Sequence, residues 1–318
     1  PGSDALAKTD AIINGVYIHS AQKSYNPIGE LTVADKYNYI LDLDGKRTAA
    51  SFEGKTWQYQ YDGKNQVTSG VLADSAGILS SHAYAYDDMG NILPQQILRD
   101  ADGNTLSVND YEGGYDVLNR LISLTKDGVS HRLTYDYSSR LILIETYHGE
   151  NMVSTKRFVY DGWNVIAEFV DGVKTKTWLW GEDLSGTIDG AGGVGGLLAE
   201  NNDAGTFIPA YDGNGNIVSY LNEDGKAVAN YVYDPFGNTI LSSGLMKDVF
   251  NYKFSTKMSI EGLYYYGFRF YNPMNGVWLT RDPIGEQGSV NLYSFVRGNP
   301  ISIIDKNGLL SWPCCGGE

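Results

Sequence analysis

Polar and apolar residues alternate along most of this chain in short runs. The runs end at the same punctuation: Tyr-Asp, two or three turn residues, then a fresh aliphatic stretch. Gln58 to Val67 reads Q-Y-Q-Y-D-G-K-N-Q-V, and Tyr84 to Leu93 reads Y-A-Y-D-D-M-G-N-I-L. The Tyr-Asp pairs begin at positions 61, 86, 115, 135, 160, 211 and 233, most of them 20 to 29 residues apart. The one 51-residue gap is split by a degenerate copy, W-L-W-G-E-D-L, from Trp178 to Leu184. Alternation of period two predicts strands with one buried face. Asp followed by Gly or Asn predicts tight hairpin turns, with Asp bonding its own turn backbone and Gly or Asn taking the positive-φ position. Tyr at alternate positions lines one face, its hydroxyl free to reach water or a neighbouring strand. One hairpin cannot bury its apolar face, so the units must stack and curl. The Tyr-Asp pairs are therefore read as structural. Residues 1–50, with stretches such as G-V-Y-I-H-S (Gly15 to Ser20) but no clear Tyr-Asp, read as degenerate repeats. Period-3.6 spacing is scarce, so very little helix is expected.

Composition sharpens this picture. The 24 Tyr and 38 Gly among 318 residues favour strands and positive-φ turns. A net charge of −14 argues against electrostatic binding of nucleic acid. No apolar run is long enough to span a membrane as a helix. Pro1-Gly2-Ser3 reads as a cloning remnant, and the chain enters mid-protein, so any targeting signal is expected upstream. The adjacent Cys314 and Cys315 cannot staple distant elements and have no His nearby for a metal. His19, His82, His131 and His148 are scattered without metal or triad spacing, and G-x-S-x-G is absent. No cofactor and no metal is called for. The glycine run G-T-I-D-G-A-G-G-V-G-G (Gly186 to Gly196) lacks the G-K-[ST] ending of a phosphate loop, so it reads as a sharp loop or a close backbone approach.

Candidate chemistry lies near the C-terminus. G-L-Y-Y-Y-G-F-R-F-Y-N-P-M-N-G-V-W-L-T-R-D-P-I-G (Gly262 to Gly285) is followed by N-L-Y-S-F-V-R-G-N-P-I-S-I-I-D-K-N-G-L (Asn291 to Leu309). Asp282 and Asp305 stand 23 residues apart in two turn segments, and Arg269 precedes the first by 13. Paired carboxylates beside a cation are the minimum apparatus for acid–base attack on a peptide bond. This segment resembles the repeat-associated core of Rhs/YD-repeat proteins, a family that includes polymorphic toxins, C components of insecticidal toxin complexes and the shell of teneurins. The resemblance implies an all-β spiralling shell, a partial cocoon of YD-repeat hairpins closed by the core. It also implies an intramolecular aspartyl protease that cuts after the Leu ending the last motif. Carried over by position, the dyad would be Asp282 and Asp305, the supporting cation Arg269, and the scissile bond Leu309–Leu310. One departure stands out: Lys306 occupies the position of the family's Pro. Proline would fix φ there, and the added cation would favour an ionised Asp305, so slower cleavage is expected.

The expected organisation is degenerate repeats at 1–50, a YD-repeat shell at 51–240, the core at 241–309 and a tail peptide at 310–318. Expected partners are that tail and an upstream shell of the parent chain. The second reading is a non-catalytic structural or adhesive cell-surface module whose Tyr and Trp contact carbohydrate or protein. The family implies a secreted, surface-bound or exported protein.

Overall fold

The computed structural model describes residues 8–13, 16–93, 97–108, 110–309 and 311–313. Its strands follow one another in chain order as two antiparallel meanders. One sheet of eight strands runs from Lys8 to Ala83, and one of fourteen from Leu98 to Ser243. Between them in the chain lies a two-stranded ribbon, Ala85–Tyr86 with Ile92–Leu93. Among the described residues there is no α-helix, only 3-10 turns at Phe254–Thr256, Gly285–Gln287 and Val296–Gly298. The fold is all-β, as the alternation predicts.

Three devices recur along the repeats. First, the Asp shapes its turn: Asp62 Oδ1 accepts from the backbone N–H of Lys64 at 2.8 Å and of Gln66 at 2.9 Å. The arrangement recurs at Asp116, Asp136, Asp212 and Asp234. Second, the Tyr hydroxyl reaches back to a carbonyl in the preceding unit, in most units that of the fifth residue after the preceding Asp; Tyr211, which donates to Leu197 O, departs from this spacing. Tyr86 donates to Val67 and Tyr135 to Leu121, both at 2.7 Å, and Tyr233 to Ile217 at 2.6 Å. Third, the strand register slips immediately before the Tyr, as at Gln60/Tyr61, Thr134/Tyr135 and Val232/Tyr233. Such a bulge bends the strand and increases its twist. Bulges recurring in this way along both sheets curl the meander.

The degenerate units keep this grammar. In the N-terminal part, Asn26 and Asp42 cap the turns in place of a Tyr-Asp aspartate. Trp180 replaces the Tyr of the interrupted unit, its indole N–H donating to Val165 O at 2.7 Å.

The segment after Ser243 packs against both meanders. Phe250, Phe254, Tyr266, Tyr271, Trp278 and Phe295 are buried in one hydrophobic cluster with Leu72, Leu124, Leu141 and Tyr220 from the sheets. Its own four short strands, Met258–Ile260, Leu263–Tyr265, Phe270–Asn272 and Val277–Trp278, form a small antiparallel sheet. Polar bonds fix its position: Tyr271 Oη donates to Phe236 O at 2.7 Å, Tyr293 Oη to Gly103 O at 2.8 Å, and Leu141 N to Tyr265 Oη at 2.9 Å. Through Asn214 Nδ2 on Pro300 O at 2.9 Å, a repeat turn also anchors the stretch that leads to Asp305.

Candidate functional site

The small sheet puts Arg269 at the centre of the site. The hairpin turn Tyr266–Arg269, closed by Tyr266 N donating to Arg269 O at 3.0 Å, precedes the strand Phe270–Asn272. The guanidinium lies 4.2 Å from the ring centroid of buried Trp278 and is 2% exposed. Stacked on an aromatic face and shut away from water, it must spend its donors on protein acceptors. Nη2 donates to Asp282 Oδ2 at 2.8 Å, Nη1 to Leu292 O at 3.2 Å, and Nε to Gly308 O.

Asp282 is aimed by its own turn. Its Oδ1 accepts from Ile284 N at 3.1 Å, and its backbone carbonyl from Gly285 N at 3.0 Å. Oδ2 is left for Arg269. Burial pushes the Asp282 carboxyl above its ordinary range, while the Arg269 charge and the Ile284 N–H pull it back.

Asp305 ends the strand Ile303–Asp305 and is 3% exposed. Its Oδ1 accepts from Gly308 N at 2.5 Å, closing the turn that carries the chain to Leu309. Burial lifts its pKa to about 6, against the opposing charges of Arg269 and Lys257 and the Gly308 N–H; the Asp282 charge adds to the rise. Arg269 thus binds Asp282 directly and holds the turn of Asp305 through Gly308 O.

Three successive carbonyls leading to the expected scissile bond are each held by one short segment. Lys306 O accepts from Lys257 Nζ at 2.8 Å, Asn307 O from Phe268 N at 3.1 Å, and Gly308 O from Arg269. The next carbonyl, that of Leu309, and the Asp282 carboxylate both pack against Gly288. A Cβ built on Gly288 would be 2.7 Å from Asp282 Oδ2 and 3.3 Å from Leu309 O. Leu310 lies outside the described residues, as do Cys314 and Cys315. Ser311–Pro313 returns antiparallel to Ile303–Asp305, with Ser311 opposite Asp305.

Lys257 is the functional candidate that the sequence did not disclose. It is buried, its Nζ bonding Gly192 O at 2.6 Å as well as Lys306 O. Burial lowers its pKa to about 8, with the Asp305 charge holding it up. It stands 25 residues before Asp282 with no motif around it, and only the fold brings it in. The second cation acting on Asp305, after Arg269, is therefore Lys257. Lys306 enters the site through its backbone carbonyl, and its charge acts on Lys257. The glycine run is the close approach that its composition predicts. Gly192 has φ +67°, and a Cβ there would lie 2.0 Å from Lys306 O. The loop's amides at Ala191 and Gly193 are taken by Asp183 Oδ2, at 2.7 and 3.0 Å, so no anion nest is presented.

His82 bonds Ser80 and His131 bonds Thr146, and no metal-binding cluster occurs among the described residues.

Comparison with known proteins agrees with this architecture. The family model of the teneurin YD-shell matches residues 18–301. The chain belongs to the teneurin YD-shell family. This YD-shell chain is 26% identical over 273 residues to the tRNA3(Ser)-specific nuclease WapA of Bacillus spizizenii, covering 82% of the chain and 11% of that protein. Over 95 residues it is 39% identical to toxin subunit YenC2 of Yersinia entomophaga, covering 28% of the chain and 10% of that subunit. The chain thus spans about a tenth of the length of these relatives. The crystal structure of TcdB2-TccC3-Cdc42 superposes on 91% of the YD-shell chain and 18% of the matched chain, with a TM-score of 0.71 and 17% identity. The Photorhabdus luminescens Tc holotoxin pore covers 95% of the chain and 17% of the matched chain, at a TM-score of 0.63 and 17% identity. At such identities the likeness speaks for the fold alone.

Proposed function

We propose that this YD-shell segment is part of a toxin-enclosing shell whose C-terminal core cuts its own Leu309–Leu310 bond with Asp282 and Asp305. The observation carrying this reading is the pinned path into the bond: three held carbonyls, then a fourth packed against Gly288, as is the carboxylate that Arg269 fixes. A tethered substrate held this way needs no bimolecular encounter, which is worth several kcal/mol of barrier. Two buried carboxyls near one cation do not ionise equally. Asp282, bound by Arg269, is the ionised member and general base; Asp305, lifted to about 6, holds the proton. Water oxygen bonds to the Leu309 carbonyl carbon as one of its protons passes to Asp282. The Leu309–Leu310 C–N bond then breaks as the Asp305 proton passes to the leaving nitrogen. The products are a Leu309 carboxylate and a Leu310 amine.

The enclosing role is supported by the curled meanders and by relatives named as a nuclease and toxin subunits. On this reading the protein is exported and its shell is assembled with further protein. The strand Lys8–Ile13 ends the eight-stranded order, and preceding repeats of a parent chain would continue the sheet there. Cleavage should be absent in Asp282→Asn and in Asp305→Asn and retained in Asp248→Asn, a carboxylate outside the site. Loss of the tail in both of the first two variants would exclude the aspartyl mechanism.

A further inference from the structure

The interrupted repeat, Trp178 to Leu184, keeps the backbone of a repeat turn. Asp183 N donates to Thr187 O at 2.7 Å, and Gly186 N to Asp183 O at 2.9 Å. Asp183 Oδ1 accepts from Ser185 N at 2.9 Å, as Asp62 Oδ1 accepts from the residue two positions on. The second oxygen differs. In Asp116, Asp136, Asp212 and Asp234 it binds the side chain four residues on. In Asp183 it reaches 8 and 10 residues on, to the amides of Ala191 and Gly193.

Those two amides flank Gly192, which meets the turn before the expected scissile bond. Gly192 has φ +67°, and a side chain there would run into Lys306 O and Asn307 Oδ1. Its carbonyl and Lys306 O share one donor, Lys257 Nζ, at 2.6 and 2.8 Å. Further along the loop, Gly195 N donates to Thr256 Oγ1 at 2.8 Å, beside Lys257. Ala191 and Val194 form a small apolar cluster with Ile304, the residue before Asp305, and Leu184 packs against it. Asp183 is 4% exposed, so the two loop amides, Ser185 N and Ser185 Oγ stand in for water around its carboxylate. Releasing the loop would strip a buried charge of two donors, which makes the closed arrangement the favoured one.

We propose that loop 185–196 is a clamp on the 305–308 turn, and that Asp183 is the positioning residue that holds it shut. This rests on the self-cleavage reading and gives the interrupted repeat a part in it. Asp183 acts through Gly192 and Lys257, not on the bond itself.

The test uses the full chain, made by cell-free synthesis, as wild type, Asp183→Ala, Asp183→Asn, Gly192→Ala and Asn222→Ala. Asn222 caps a repeat turn outside the site, accepting from Asp224 N and Lys226 N, and controls for the loss of a turn cap as such. Cleavage is followed by denaturing mass spectrometry, and thermal unfolding confirms a folded protein. Hydrogen exchange of the 303–309 stretch is read in an Asp282→Asn background that keeps the chain whole. Asp183→Ala and Gly192→Ala should cleave about tenfold more slowly, a loss typical of small displacements at a reacting centre. Both should also exchange several-fold faster at 303–309. Gly192→Ala leaves every Asp183 donor in place and carries the test if Asp183→Ala does not fold. Asp183→Asn keeps one oxygen for the two loop amides and a nitrogen for Ser185 Oγ, so it should recover most of the rate. Asn222→Ala should change neither readout. Unchanged exchange in Asp183→Ala and Gly192→Ala would overturn the clamp. Faster exchange with wild-type cleavage would overturn the positioning role, and so would equal slowing in Asn222→Ala. A wild-type chain uncut between pH 4 and 8 would remove the self-cleavage reading and the part of Asp183 in it, while exchange would still decide the clamp.

Discussion

Asp305 is a residue whose burial works against stability. Its folded-state pKa of about 6 exceeds the ordinary 3.8, so the folded chain holds this proton more tightly than the unfolded chain. Below pH 4 both states are protonated and burial costs nothing. As pH rises from 4 to about 6 the unfolded state ionises first and stability falls; above 6 the loss is complete. Two pKa units correspond to roughly 3 kcal/mol, an upper figure because Arg269 and Lys257 would lose a counter-charge on substitution. Asp305→Asn should therefore melt higher than wild type at pH 8, with the gap closing toward pH 4. A variant that melts lower at pH 8 would contradict the burial argument. On the proposed mechanism the same shift sets a pH dependence: cleavage should decline as pH climbs through about 6. Lys257→Met removes a charge that holds the Asp305 pKa down, so this decline should move to higher pH. Two freed carbonyls should cost about 1–3 kcal/mol each in the thermal unfolding of that variant. At this scale the family resemblance of the surrounding motifs singled out Arg269, Asp282 and Asp305, whereas on local signal alone Asp-Pro and Asp-x-x-Gly segments read as ordinary turns. It did not disclose Lys257, whose place depends on the carbonyls that the fold sets beside it.

Among the elements, the hairpin unit was the most legible feature, since alternation and an Asp-capped turn are written in adjacent residues. The back-bond from each Tyr was not, because it joins residues 10 to 19 apart, as in Tyr115 to Thr105 and Tyr86 to Val67. Nor was the bulge before each Tyr, which shows only in the register of the paired strands. The break between the sheets at 84–97 was hidden as well, because Tyr86-Asp87 has the local chemistry of its neighbours. The back-bond account predicts that Tyr135→Phe, which removes a 2.7 Å bond to Leu121 O and little else, lowers stability by about 1 kcal/mol in urea unfolding. Tyr137→Phe, two residues on and almost wholly exposed, should change nothing measurable. Equal effects at the two positions would mean that the hydroxyl ladder contributes no stability.

For the molecule as a whole, curling and closure are one problem. A meander bent by recurrent bulges turns its aromatic face inward, and that face needs a covering that the repeats do not supply. The C-terminal segment covers it with Phe250, Tyr271, Trp278 and Phe295, and in doing so carries Arg269, Asp282 and Asp305 into a buried site. Packing thus creates the conditions the chemistry needs: a shielded cation, one raised carboxyl and a pinned peptide. The family resemblance of the sequence supplied the identity of the bond; burial and the held carbonyls supply a reason for it. The most direct measurement is the intact mass of the freshly synthesised chain in ¹⁸O-labelled water near pH 5.5, read under denaturing conditions. The account predicts a fragment ending at Leu309 that carries one ¹⁸O in its new carboxylate, in wild type and in neither Asp→Asn variant. A chain that stays intact, a cut elsewhere, or an unlabelled Leu309 terminus would contradict it.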